Sequence, residues 1–277
     1  MQGTRGTRWR GSSAESLRAT LDQLDTALAG GANGAETGAD LFVAADLLRE
    51  QPALRRAATD PRIAAEIKTE LVREVFGPHL GRPAVDVLAT AVTHRWAAGQ
   101  DLPDALAHVA VVSDVTAADA AGDGDQLEEN LFRFSRVVAD HPELRDALSD
   151  PRRSVDEKQG LVRDLVEGKV APAALTLLQR AVTSTHLTVA SALEDFIEIT
   201  SATRGRRVAR VWSAGPLNDA ETDRLAAALG RIYGGTVHVN VIEDADVLGG
   251  LRIEIGDEVI DGTVRARLDD ARRRLAG

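Results

Sequence analysis

The 277-residue chain contains no cysteine, which excludes disulfides, thiolate catalysis and cysteine-ligated zinc. Aromatic residues make up only 3%. The 44% hydrophobic fraction therefore rests mainly on Ala, Leu and Val, side chains small enough to let packed helices approach closely. Nowhere does the chain hold the roughly 18 consecutive apolar residues of a membrane span, so any membrane association is expected to be indirect. Basic residues are in deficit: 33 Lys and Arg against 43 Asp and Glu leave a formal net charge of −10. That is the wrong sign for a general nucleic-acid binder. The opening MQGTRGTRWRGSS is basic but has no apolar segment behind it, so it does not read as a secretory signal. Residues 1–13 are expected to form a disordered leader.

Chemistry-bearing motifs are missing as well. Six histidines, His79, His94, His108, His141, His186 and His238, show no paired metal-ligand spacing and no HExxH. Neither GxxxxGKS/T nor GxGxxG occurs, so Gly234-Gly235 and Gly249-Gly250 read as turns or bends rather than phosphate loops. No catalytic residue, cofactor site or metal site is expected. The densest basic cluster is Arg204, Arg206, Arg207 and Arg210, placed either to set a domain junction or to grip a partner.

What is present is a repeat. QPALRRAATDPRIAAEIKTELVREVFG begins at Gln51 and HPELRDALSDPRRSVDEKQGLVRDLVEG at His141, a constant offset of 90 positions. Leu54 meets Leu144, Asp60-Pro61-Arg62 meets Asp150-Pro151-Arg152, Lys68 meets Lys158, and Leu71-Val72-Arg73 meets Leu161-Val162-Arg163. Leu88 meets Leu178, Ala91-Val92-Thr93 meets Ala181-Val182-Thr183, and Phe42 coincides with Phe132. Gapless matching over this length indicates a duplicated module. Each copy reads as short helices, with Asp60-Pro61 and Asp150-Pro151 as helix-start signals.

An opening helix is expected over 14–29, where Leu17, Leu21, Leu24 and Leu28 form one stripe. Its counterpart 90 residues on is the segment that should also close the first copy, with Leu102, Leu106 and Val109 facing that core. The two bundles are therefore expected to share or closely couple a helix at 101–120, with the break placed at Gly122-Asp123-Gly124.

Past Gly205 the pattern changes. Val208 to Trp212 reads as a strand, followed by a helix capped by Asn218 with Glu221 three residues on. Leu225, Ala228, Leu229 and Ile232 are expected to form its buried face, and Val237, Val239 and Val241 a second strand. Leu251, Ile253 and Ile255 alternate with polar residues as a third. A closing helix follows, started by Asp261 or Thr263 and striped by Val264, Leu268, Ala271 and Leu275. The expected fold class is mainly α: two tandem six-helix-type bundles, at 14–120 and 121–204, followed by a small α+β C-terminal domain at 205–277.

The C-terminal residues also carry a family likeness. Asp244, Val247-Leu248, Gly249-Gly250, the strand from Leu251 to Ile255, Gly256-Asp257 and Ile260-Asp261-Gly262-Thr263 follow one pattern in order. HPELRDALSDPRRSVDEKQGL and Ala214-Gly215-Pro216-Leu217 extend it upstream, from about Gln126 to the end. By these residues the chain resembles the delta subunit of bacterial F-type ATP synthases, counterpart of the mitochondrial oligomycin-sensitivity-conferring protein. It departs from that pattern at Glu243, around Thr185-His186, and in having two helical copies where the family usually has one.

The resemblance implies a peripheral-stalk (stator) subunit without catalytic activity or cofactor. It implies that the helical part binds the N-terminal segments of alpha subunits and that the C-terminal domain binds the C-terminal region of the b subunit. Localisation would be peripheral, at the cytoplasmic face of the plasma membrane. The implied alpha-contact residues are Leu175, Leu178 and Val182 in the second copy, with Leu88, Val92 and Trp96 in the first. For the b subunit they are Val247, Leu248, Gly249 and Gly250. The alternative reading is a free-standing helical adaptor or scaffold unrelated to ATP synthase.

Overall fold

The computed structural model describes residues 9–183, 188–233, 236–244, 247, 249–255 and 258–264. The chain divides into two units, Met1–Arg204 and Gly205–Gly277. Among its described residues the first has helices as its regular structure and the second carries a four-stranded sheet, so the expected mainly α fold with a small C-terminal α+β region holds.

The repeat sets the helix boundaries. Helices α2 (Gly34–Glu50), α3 (Pro52–Thr59) and α4 (Ala65–Phe76) recur 90 residues later as α7 (Gly124–Asp140), α8 (Pro142–Ser149) and α9 (Val155–Val166). Helix α5 (Arg82–Thr93) starts one offset before α10 (Pro172–Ala181). Flanking them are α1 (Ser12–Ala29), α6 (Asp101–Ala120) and α11 (Val189–Arg204). Helix α6 occupies both roles that the offset gives it. It packs on α1, α2 and α5 of the first copy and on α7, α10 and α11 of the second.

That double duty is written in its burial. Val109, Ala110, Val111, Val112, Ser113, Asp114 and Val115 are consecutive buried residues. A run buried all round the helix means packing on every side, which no half-exposed helix has. One continuous core, from Leu17 through Ile199, accordingly spans both copies. The chain turns at Gly122, whose φ of 83° suits a residue without a Cβ, and α7 starts at Gly124.

Small residues set the spacing between α2 and α6. A Cβ on Gly34 would stand 3.0 Å from both the Ala117 Cβ and the Ser113 carbonyl, and the Ser113 hydroxyl donates to the Gly34 carbonyl at 2.7 Å. Loop 94–100 is pinned to α1 by hydroxyls. Ser16 donates to the Arg95 carbonyl at 2.7 Å, and Ser13 donates to Asp101 Oδ2 at 2.6 Å while accepting from the Ala97 amide.

Two local expectations are corrected. Asp60-Pro61 and Asp150-Pro151 do not start helices: they form the turns before α4 and α9, which begin at Ala65 and Val155. Each carboxylate bends onto the residue two positions on. It accepts from the Arg62 or Arg152 amide at 2.9 Å and from the same residue's guanidinium. These bonds hold the Asp60 and Asp150 carboxyls down at about 2. In the second copy the cap is Ser154, which forms a reciprocal capping box with Glu157. The expected leader also ends earlier than residue 13. Trp9 packs on the helical core with its ring edge-on to His108, and α1 begins at Ser12; residues 1–8 lie outside the described residues.

In the second unit the strands are β1 (Arg206–Ser213), β2 (Thr236–Glu243), β3 (Leu251–Ile255) and β4 (Glu258–Asp261), ordered β2-β1-β3-β4. The β1–β2 pair is parallel and the other two pairs are antiparallel. Helix α12 (Asp219–Tyr233) connects β1 to β2. It begins with the expected cap: Asn218 accepts from the Glu221 amide and Glu221 from the Asn218 amide.

Leu229 of α12 is buried, with Leu225, Ala226 and Tyr233 beside it, over Ala209, Val211, Val237, Val239, Ile253 and Ile255. Ile232, expected on that face, is exposed instead, because a stripe through 225, 226, 229 and 233 leaves 232 at its edge. Strand β4 was also not expected, since all four of its residues are exposed and it lacks the alternation that marks β3. Most of the expected closing helix, including Leu268, Ala271 and Leu275, lies outside the described residues.

Candidate docking surfaces

Five of the six side chains expected to meet an alpha segment face inward. Leu88, Val92, Trp96, Leu178 and Val182 are buried in the helical core. The Trp96 ring nitrogen donates to the Ala91 carbonyl at 2.9 Å, which fixes the indole against α5. Helical periodicity identifies an apolar stripe but not whether a partner or the chain itself covers it. Here neighbouring helices cover it. Leu175 is half-buried at the edge of that core and remains reachable.

The residues expected to meet a b subunit divide differently. Val247 is buried, and Leu248 lies outside the described residues. Gly249 and Gly250 have φ of 95° and 80°. The Gly249 carbonyl accepts from the Val264 amide at 3.0 Å, and the Gly262 amide donates to the Leu251 carbonyl at 2.9 Å. A Cβ on Gly250 would stand 2.5 Å from the Gly262 carbonyl oxygen. The pair is thus required where the chain before β3 runs against the chain after β4. Gly250→Ala therefore combines left-handed backbone with a backbone clash and is expected to cost at least about 2 kcal/mol. Amide hydrogen exchange of β3 and β4 reads it directly; unchanged protection there would refute the assignment. Among the described residues, Val259, Ile260 and Val264 are exposed apolar side chains beside this junction.

Polar side chains that periodicity cannot rank sit between the helical copies. Arg180 of α10 reaches α2, with its Nη1 3.0 Å from Asp46 Oδ2 and its guanidinium 4.7 Å from the Phe42 ring centroid. Asp46 also pairs with Arg49, which reaches Asp104 of α6 at 3.1 Å. Asp114 lies where α6 crosses Gly38 of α2, buried, and among the described residues its Oδ2 has no hydrogen-bond partner. Burial pushes its carboxyl up to about 7, against the smaller opposing pull of Arg180.

The second copy fills the equivalent crossing another way. Position 128, equivalent to Gly38, is Glu128, and position 204, equivalent to Asp114, is Arg204. Arg204 pairs with Glu128, Asp125 and Asp119, and these carboxylates raise its already high pKa. Of the expected basic cluster, Arg204 is thus a joint within the helical unit. Among the described residues no group of three or more His, Asp or Glu is placed to hold a metal.

The fold defines a duplicated helical protein, its copies fused through a shared helix, with an appended α+β module. The family model for the ATP synthase delta (OSCP) subunit matches residues 113–275, and the chain belongs to that family. An ATP synthase subunit delta from a Nocardioides species is 46% identical over 268 residues, covering 97% of each chain. One from Kineococcus radiotolerans is 43% identical, covering 96% of this chain and 98% of its own. One from Streptomyces avermitilis is 39% identical, with coverage of 96% and 98%. A chain of the Toxoplasma gondii mitochondrial ATP synthase hexamer is 17% identical, with a TM-score of 0.28, covering 60% of this chain and 97% of its own. These three matches each span at least 96% of this chain, so they run over both of its helical copies. Members of the family are peripheral-stalk components of ATP synthase, which removes the reading of a free-standing adaptor.

Proposed function

We propose that the chain is a non-catalytic stator subunit that joins the N-terminal segments of alpha subunits, through its helical unit, to the C-terminal region of the b subunit, through its α+β unit. The observation that carries this reading is the family match running from the middle of α6 into the closing segment, so that it includes parts of both units. No helix among the described residues is long and apolar enough to cross a membrane. In this reading the chain is held at the cytoplasmic face of the plasma membrane through its partners.

A stator works by resisting torque. Two grips on one chain raise each other's effective concentration, and a shared α6 gives the helical grip a body that does not hinge between copies. Apolar segments laid into helical grooves suit such a grip. In this reading Leu175 is a contact residue, while Leu88, Val92, Trp96, Leu178 and Val182 shape the surface from beneath. On the α+β unit, Val259, Ile260 and Val264 take the contact role, with Gly249 and Gly250 holding the junction that presents them.

Calorimetric titration of the full chain with a synthetic alpha N-terminal peptide, and separately with a b C-terminal peptide, tests this. Each peptide is expected to bind, and Leu175→Glu is expected to weaken only the first, by about tenfold, the equivalent of roughly 1.4 kcal/mol. Absence of binding by either peptide overturns the two-grip reading.

A further inference from the structure

The repeat supplies its own control for what covers a helix face. In the first copy, Phe42 is 4% exposed. Its cover includes Arg180, a second-copy side chain that stacks over the ring and pairs with Asp46 one turn on. Shifted by one repeat, the face comprises Phe132, Ser135, Arg136 and Val137 of α7. The helical unit ends with α11, so this face has no following copy to supply the equivalent of Arg180. Phe132 is accordingly 52% exposed, while the other four phenylalanines are buried. Arg136 and Val137 are exposed beside it, whereas Asp46 and Leu47 are half-buried.

The charge at this face is inverted. Where the first copy has Asp46 to receive a cation, the second has Arg136; the neighbouring Arg133 is occupied by Glu129 at 2.6 Å. A guanidinium laid over Phe132 would be repelled by Arg136, but a carboxylate one turn away would be attracted. Covering the exposed half of the Phe132 ring removes apolar surface from water and so favours an apolar partner.

We infer that the α7 face of Phe132, Arg136 and Val137 is a docking site for an amphipathic helical segment of another ATP synthase subunit, one that places an apolar side chain on Phe132 and a carboxylate on Arg136. The inference rests on the stator reading for where the partner comes from, and on the repeat for what it looks like. The site lies on the second helix of its copy, apart from α10 and the Leu175 contact. Its area is small, so it adds to a complex already held elsewhere rather than recruiting a partner alone.

The test places a photo-crosslinking phenylalanine analogue at position 132 in the chain assembled within the intact ATP synthase. After irradiation, the crosslinked segment is identified by mass spectrometry. The expected product joins position 132 to a helical segment, from a different polypeptide of the complex, that has a carboxylate beside an apolar residue. Arg136→Glu is expected to lower its yield about tenfold, the loss of one attractive pair and gain of a repulsive one, while Arg136→Lys retains most of it. A crosslink to a second copy of this chain overturns the inference. So does a crosslink to a segment without a carboxylate, a yield indifferent to Arg136→Glu, or no crosslink from a complex that contains the chain. Absence of the chain from the purified complex overturns the stator reading and this inference together, which distinguishes the two failures.

Discussion

Replacing Asp114 with Asn is expected to raise the melting temperature of the helical unit at pH 8 and to leave it nearly unchanged near pH 3. The carboxyl titrates at about 7 in the folded chain against an ordinary value of 3.8, because burial penalises the charged form. The folded state therefore holds this proton more tightly than the unfolded state does. In the folded chain the cost of the group is absent below the ordinary value, grows as pH rises between about 4 and 7, and is complete above about 7. The upper limit of that cost is about 4 kcal/mol, from about 1.4 kcal/mol per unit of pKa difference.

Relaxation around the charge reduces this, and about 2 kcal/mol is the expected gain for the neutral amide, or roughly 4–8 °C for a unit of this size. The check is the difference in melting temperature between the two proteins across the pH range. Subtracting the curves cancels the opposite acid-side loss from groups such as Asp60 and Asp150, whose carboxyls are held down at about 2. A difference that does not change between pH 3 and 8 would remove Asp114 as the source.

The second large effect is expected at Gly38. A Cβ there would stand 2.4 Å from Asp114 Oδ1 and 3.0 Å from the Ala110 carbonyl oxygen. The carboxylate can rotate away, but the carbonyl belongs to the α6 backbone and cannot. Gly38→Val adds two further methyl groups at the tightest crossing between α2 and the helix common to both copies. Overpacking of this kind costs about 1–3 kcal/mol, and the strain falls on α6 rather than on a peripheral helix. The transition of the helical unit is expected to fall by about 5–10 °C. Amide exchange should quicken in α7 and α11 as well as in α1 and α2, since α6 packs on both sets. Loss of protection confined to the first copy would show that the two copies are not coupled through α6.

Much of the helical architecture was legible because it is periodic. The 90-residue offset places the starts of α7, α8 and α9 once α2, α3 and α4 are placed, and it led to the expectation that the two bundles share or closely couple 101–120. Boundary signals were less reliable. Asp60-Pro61 has the composition of a helix start, yet an arginine two residues on offers the carboxylate an amide and a guanidinium together, which makes a turn. Ile232 fell off the buried face of α12 for a related reason: a sheet-packed helix buries the stripe that the sheet reaches, and spacing alone fits several stripes.

The docking residues were the least legible part. Leu88, Leu178 and Val182 have the spacing of a groove and the burial of a core, and these look alike in one dimension. Phe132 stands out only by comparison with Phe42, after Arg180 is seen to cover one and nothing from the repeat is left to cover the other. Gly249 and Gly250 read as a turn or bend, but their role in holding the chain after β4 required the position of Gly262.

By itself, the sequence determined the duplication, the helical content, the shared segment, the family, and the absence of cysteine chemistry. These follow from composition and from spacing along the chain, which local physics converts into helices and strands. The tertiary structure alone decided which apolar stripes are satisfied internally, where Asp114 and Arg180 meet, and which face of the last copy stays open. Burial and pairing depend on what arrives from elsewhere in the chain, and in a repeat protein the last copy differs from the first because no further copy follows to cover it.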